Sequence, residues 1–355
     1  MDINAILQQA VQNETSDIFI VPGIPLTYKI HGQQKRMEDW GKMLPADTED
    51  VIRQIYAQAK RDPQRIAGED SDDDFSFALP GIGRFRVNVY HQRASLAAVV
   101  RVIRFGIPNW QEMSIPQEVM NVKRFQRGVV LVTGQTGSGK STTLACIVDA
   151  INHERSGHIL TLEDPIEYVH RHEKCIVSQR EIYSDCTSYL SALRSALRES
   201  PDVILLGEMR DHETIDVAMK AAETGQLLLS SLHTTGAANT VDRIIDMYPA
   251  NQQSQIRLQL SMTLQAVISQ QLIPDISGKL IPVFEIMYVN PAIRNLIRES
   301  KTHQIEAAIQ AGSAEGMRTM DASLLQLYQQ KRITKETVLT YCLNYEATSR
   351  KLKLL

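Results

Sequence analysis

The sequence predicts an α/β fold in which a parallel sheet flanked by helices follows a smaller α+β domain, and three observations carry that prediction. From Arg127 onward, apolar runs (GVVLVTG, HILTLED, DVILLGE and LLLSSLHT) alternate with helical segments, the pattern of a sheet covered on both faces. The first of these runs passes through a glycine-rich loop directly into a helical segment. Upstream, from Phe75, apolar and polar residues alternate instead, as in an antiparallel sheet with one wet face.

Taken in order, residues 3 to 13 read as a helix. Asp17–Val21 and Leu26–Ile30 read as short strands separated by a turn at Pro22 and Gly23. A helix is expected at about 47 to 60. FSFALPGIGRFRVNVYHQRASLAAVVRVIR then holds a turn at Pro80-Gly81 and two long strand-like runs joined near Gln92 to Ser95. Gly106, Pro108 and the polar stretch after them read as a linker. NQQSQIRLQLSMTLQAVISQQLI reads as one helix over about 251 to 272, LIPVFEIMYV as a strand, and the remainder as short helices. The expected divisions are 1–107, a linker at 108–126, an α/β domain at 127–275 and a mostly helical region at 276–355.

Bulk properties narrow the function classes. A chain of 355 residues is long for one core and predicts about two domains. With 43% hydrophobic and 22% charged residues it should be folded throughout. A net charge of −3 offers no electrostatic footprint for nucleic acid, so no nucleic-acid partner is expected. Cys146, Cys175, Cys186 and Cys342 are scattered without a CxxC pair and read as buried, reduced thiols. The start, MDINAILQQAVQNETSD, lacks a basic n-region followed by an apolar stretch, and no apolar run is long enough to span a bilayer. The expected location is therefore cytoplasmic.

The glycine-rich loop fits GxxxxGK[ST] and lies between a strand-like and a helical segment, the context the motif requires. Its residues Gly134, Gln135, Thr136, Gly137, Ser138, Gly139, Lys140, Ser141 and Thr142 are the expected nucleotide-binding set. Gly134, Gly137 and Gly139 would let backbone N–H groups crowd around phosphate oxygens while the helix directs its positive end at them. Lys140 would neutralise the β- and γ-phosphates and Ser141 would ligate Mg²⁺. The expected cofactors are thus ATP and Mg²⁺.

Hydrolysis needs acidic partners at the same sheet edge. Asp202–Glu208 is an apolar strand ending in a carboxylate, which makes Glu208 the candidate for orienting or activating the attacking water. Glu163 ends another strand and could hold the Mg²⁺ hydration shell, with Asp164 beside it as a possible helix N-cap before Pro165. Both carboxylates would reach the metal through water. His233 follows a third strand, where a γ-phosphate sensor is often placed, although lone histidines are usually structural.

Together GQTGSGKST, LTLEDPIEY, LRSALRESPDVILLGEMRD, AAETGQLLLSSLHTTGAANTVDRIIDMYP and PAIRNLIRE resemble the PilT family, the twitching-motility ATPases of the secretion-ATPase superfamily, over about residues 13 to 345. The resemblance implies a RecA-like ATPase core, a PAS-like N-terminal domain, a helical tail and a homohexamer. It also implies a hexameric motor for type IV pilus retraction at the inner face of the cell membrane, partnered by an inner-membrane platform protein. PAIRNLIRE resembles a signature of retraction motors. Its Ile293, Leu296 and Ile297 should pack inward, leaving Arg294, Asn295, Arg298 and Glu299 largely exposed.

Two departures are visible: Gln135 stands where the family usually has proline, and ETSD (Glu14 to Asp17) stands where many relatives have His-Ala-Ser-Asp. By family position Arg86 and Arg101, with Arg93 third, are candidates to reach nucleotide across a subunit boundary. A solvated face is the commoner fate of strand arginines. Related assembly, accessory or secretion ATPases are the neighbouring alternatives, and a RecA-like nucleic-acid motor is the alternative of another class.

Overall fold

Alternating burial along Gly83–Gln92, with Phe85, Val87 and Val89 inside and Arg84, Arg86 and Asn88 outside, is the signature of a strand with one covered face. The structure, a computed structural model, describes residues 1–66, 72–103 and 106–354. They form two units, Met1–Gly106 with Glu167–Val169, and Ile107–Ile166 with His170–Leu355.

The first unit contains α1 (Ile3–Gln12), β1 (Thr15–Ile20), β2 (Thr27–Ile30), β3 (Gln33–Arg36), α2 (Pro45–Gln58), β4 (Asp73–Leu79), β5 (Gly83–Gln92) and β6 (Ser95–Ile103). The expected strand run ended at Arg104, which lies outside the described residues. Every pairing in the sheet β3-β2-β1-β6-β5-β4 is antiparallel. Ile6 and Leu7 of α1 and Ile52 and Ile55 of α2 pack with Ile18, Phe85 and Val87 of the strands in a single core. Helix α2 begins where Pro45 fits its first position and the Leu44 N–H donates to Asp47 Oδ2 at 2.7 Å.

The second unit runs through α3 (Gln117–Met120), β7 (Gly128–Thr133), α4 (Lys140–Glu154), β8 (Gly157–Glu163), β9 (Cys175–Glu181), α5 (Tyr189–Ala196), β10 (Val203–Leu206), α6 (His212–Glu223), β11 (Leu227–Leu232), α7 (Ala237–Asp246), α8 (Ala250–Thr263), β12 (Leu264–Pro274) and β13 (Leu280–Tyr288). It ends in α9 (Pro291–Arg298), α10 (Ile305–Ala311), α11 (Met320–Gln329), α12 (Lys335–Tyr341) and α13 (Tyr345–Leu352). Its sheet has the order β13-β12-β7-β11-β10-β8-β9, with β13 antiparallel to β12 and the other pairings parallel. Each central strand feeds two cores. Leu131, Leu162, Leu206 and Leu228 face one side, whereas Val130, Ile159, Leu205 and Leu227 face the other. This double burial is why the strands read as unbroken apolar runs.

Three expectations change. The helix expected through residue 272 stops at Thr263, and Leu264 takes extended backbone to open β12, which pairs with β7 on one side and β13 on the other. A strand buried on both faces cannot be told from a buried helix by periodicity, and no turn signal marked the change. Within 108–126, residues Ile115, Val119, Met120 and Val122 are buried against β7 and α4, so this stretch carries core side chains. Cys146 and Cys175 are buried, but Cys186 and Cys342 are only partly so. No helix among the described residues is long and apolar enough to cross a membrane.

Candidate functional site

Strand order assembles the site. Along the C-terminal edge of the sheet, β7 leads into the phosphate loop, β11 into His233, β10 through Gly207 to Glu208, and β8 ends in Glu163. These strands are consecutive neighbours, so residues from four distant parts of the chain share one edge. Here the Gly134 N–H donates to Leu232 O at 3.2 Å, and the Gly207 N–H donates to Leu162 O at 2.8 Å.

Within the loop, Lys140 Nζ donates to the carbonyls of Gly134 and Gln135, each at 2.9 Å, and lies 3.5 Å from His233 Nδ1. Thr136 Oγ1 is 3.4 Å from the same ring nitrogen. Gln135, Thr136, Gly137 and Ser141 are exposed, Gly139 and Thr142 half-buried, and Ser138 and Lys140 buried. Ser138 Oγ has no hydrogen-bond partner among the described residues, a polar group that a bound phosphate could satisfy. Gly134 and Gly139 have left-handed φ of 147° and 88°, and a Cβ on either would meet Gln270, its backbone oxygen at 2.2 Å and its amide nitrogen at 2.9 Å respectively. At these two positions glycine makes room for β12. Gly137, with φ of 79° and nothing within 4 Å of the Cβ position, faces open space.

Glu208 sits between an arginine and a histidine: Arg210 NH2 contacts Oε1, and His233 Nε2 lies 3.4 Å from Oε2. Burial alone would raise its pKa, but the hydrogen bond and charge of Arg210, with a contribution from His233, outweigh it and hold the carboxyl below the ordinary 4.5. Glu208 is therefore a carboxylate at neutral pH. Arg210 was not singled out from sequence, although it lies in the same GEMRD segment. Glu163 is half-buried, and its Oε1 accepts from Thr161 Oγ1 at 2.6 Å and Gln179 Nε2 at 3.2 Å. The N-cap reading of Asp164 fails because a bend follows it and no helix starts there; its carboxylate lies 4.0 Å from Arg210.

The chain matches the type II/IV secretion system protein family over residues 1–312. It belongs to that family. It is 45% identical to the "Type IV pilus retractation ATPase PilT" of Pseudomonas aeruginosa over 95% of this chain and 96% of the relative. It is 44% identical to the "Twitching motility protein" of Neisseria gonorrhoeae over 96% of this chain and 90% of that one. A crystal structure described as the pilus retraction motor PilT with bound ADP superposes with a TM-score of 0.91 at 42% identity, covering 99% of both chains.

The family's arginine candidates lie in the first unit, outside the strand edge just described. Arg86 and Arg101 are cross-strand partners on β5 and β6. Arg86 forms a two-pronged ion pair with Asp74, Nε to Oδ1 at 3.1 Å and NH2 to Oδ2 at 2.6 Å. Arg101 Nε donates to Asp17 Oδ1 at 2.9 Å while 66% of its side chain stays exposed. The aspartate of ETSD thus anchors Arg101 despite the missing family histidine. Arg93 sits at the β5–β6 turn with φ of 48°.

In α9, Ile293 and Ile297 are buried, Leu296 packs against the core and Arg298 is exposed, as expected. Arg294 and Asn295 are half-buried and not largely exposed. Arg294 donates to Ser261 O at 2.8 Å, Met262 O at 2.9 Å and Gln265 Oε1 at 3.3 Å, so it satisfies carbonyls at the end of α8.

Proposed function

We infer that this chain is an ATP-hydrolysing motor for type IV pilus retraction and twitching motility. The observation that carries the reading is the edge formed by Lys140, His233, Glu208 and Glu163 in a chain so close to retraction ATPases over its full length. Lys140 and the N-terminal end of α4 provide positive charge for the phosphates of ATP. Glu208, kept ionised by Arg210, is suited to orient the attacking water. His233, within reach of Lys140, Thr136 and Glu208, is suited to sense the γ-phosphate.

The hydroxyl of Ser141 and the carboxylates of Glu163 and Glu208 are hard oxygen donors that suit Mg²⁺, which when bound would offset charge on the phosphates. Arg86 and Arg101 are proposed to complete the site from a neighbouring subunit of a homohexamer. The motor would work in the cytoplasm against an inner-membrane platform protein.

The test has two arms. Purified protein should hydrolyse ATP in a Mg²⁺-dependent manner, and Lys140→Ala should abolish it. Deleting the gene should leave surface pili in place and abolish twitching. Absence of turnover would reject the enzyme reading, while loss of surface pili on deletion would reassign the motor to assembly.

A further inference from the structure

Two adjacent residues of β12 bond to segments on either side of the phosphate edge, the first turn of α4 and the loop after His233. Gln270 is 2% exposed, and Thr143 Oγ1, on α4, donates to its Oε1 at 2.7 Å. Its amide nitrogen and backbone oxygen are the atoms that crowd Gly139 and Gly134. Ser269, fully buried, projects to the opposite face of the strand, as alternation requires. There its Oγ accepts from the Gly236 N–H at 2.9 Å, in the loop that follows His233. Glu285, the partner of Ser269 across the β12–β13 ladder, accepts the adjacent Ala237 N–H at 2.6 Å through Oε1 and the Met320 N–H at 3.2 Å through Oε2. Met320 opens α11, so Glu285 joins the first residues of two helices.

The two segments approach each other where Lys140 and Thr136 lie near His233. Behind them, a single strand bonds through side chains of opposite face to the first turn of α4, which leaves the phosphate loop, and to the loop after His233. Buried polar groups cost free energy unless satisfied, and here Gln270 Oε1, Ser269 Oγ and the Glu285 carboxylate accept from the first turn of α4, the loop after His233 and the starts of α7 and α11.

We propose that Gln270 and Ser269 are positioning residues for ATP turnover, Gln270 setting the phosphate loop for nucleotide binding and Ser269, with Glu285, setting the His233 loop for the step after binding. The proposal rests on reading this edge as an ATPase site. It assigns different kinetic signatures to neighbouring residues, which a general loss of stability would not give.

The test measures ADP affinity by calorimetry, ATP turnover over a range of ATP concentrations, and thermal melting. Gln270→Met keeps the volume and removes the polar atoms. It should raise the Kd for ADP and the KM for ATP about five- to tenfold, with kcat within about twofold of the parent, the scale of one lost buried hydrogen bond. Thr143→Val should reproduce that shift, and the double variant should be no weaker than Gln270→Met alone. Ser269→Ala should instead leave Kd within about twofold and lower kcat about tenfold.

Equal effects of Gln270→Met and Ser269→Ala on both parameters, or affinity that falls only as melting temperature falls, would overturn the proposal. If Gln270→Met does not fold, Thr143→Val carries the same affinity prediction, and an unchanged Kd there overturns it. A parent chain that binds no ADP rejects the ATPase reading itself. A parent that binds beside a folded Gln270→Met variant that binds equally rejects the positioning role alone.

Discussion

The two units use charge in different ways. In the first, two ion pairs join neighbouring strands of the antiparallel sheet: Asp17 faces Arg101 across β1 and β6, and Asp74 meets Arg86 between β4 and β5. In the second, Lys140, His233 and Glu208 come from separate strand–loop segments and approach one another, with Glu163 on the same edge, because parallel strands end there. Antiparallel pairing joins charges along the ladder, where they mostly stabilise. Parallel pairing with crossover helices gathers them at a rim, where water and ligand can reach. The comparison predicts that removing charge at the strand edge of the second unit changes rate before stability, whereas removing a buried ion-paired carboxylate of the first, such as Asp73, costs stability before rate.

Glu208→Gln should give the largest effect, a loss of about 10²- to 10⁴-fold in kcat with ADP affinity nearly intact. Parental turnover in this variant would remove Glu208 from the chemistry. The same carboxylate gives a pH test. Arg210 lowers its pKa from the ordinary 4.5, so Glu208 stays ionised as pH falls through that value. Arg210→Ala removes the main opposing charge, and burial then raises the pKa. The acid limb of kcat/KM should move to higher pH in Arg210→Ala; a shift to lower pH would contradict the assignment.

The next effect belongs to the first unit. Asp73 is buried, accepting from Arg61 Nε at 2.8 Å, Arg61 NH2 at 2.6 Å and Tyr56 Oη at 2.8 Å. Burial would raise its pKa, but the hydrogen bonds from Arg61 and Tyr56 and the Arg61 charge hold it below the ordinary 3.8. A lowered folded pKa contributes stability that is complete above the unfolded value and is lost as pH falls through the folded one. Asp73→Asn should therefore cost about 3 kcal/mol near pH 7, by chemical denaturation. The gap between parent and variant should shrink only once pH falls below the ordinary 3.8. An equal gap at both pH values would show that packing, and not the ion pair, carries the cost.

How much was legible in the sequence follows the same division. Glu208 and His233 could be found because each closes an apolar run, and the phosphate loop because its glycines and lysine have fixed spacing. The antiparallel strands were legible from alternation, apart from the short β3, whose QQKR is exposed throughout and has no apolar face. Gln270 was hidden because LQAVISQQLI read as helix, and a helical register gave no reason to place that side chain behind the phosphate loop. Ser269 and Glu285 were hidden for a related reason. A polar residue inside a buried strand has no local signature of its bonding, and the partners of these two, Gly236, Ala237 and Met320, lie far along the chain.

Two arginines of α9 provide the smallest expected changes in stability. Arg294→Ala leaves the Ser261 and Met262 carbonyls without their side-chain donor and should cost about 1 to 2 kcal/mol in chemical denaturation. Arg298 is exposed, with a bond only to Asn295 one turn back among the described contacts, so Arg298→Ala should stay within about 0.5 kcal/mol of the parent. That difference makes Arg298 the cleaner probe of whether PAIRNLIRE transmits force. If it does, Arg298→Ala keeps its fold, its assembly by light scattering and most of its ATPase rate, yet abolishes colony spreading while surface pilin remains. Normal spreading would remove this surface from the coupling path. Loss of ATPase rate and assembly together would instead make Arg298 part of the architecture, as Arg294 already is.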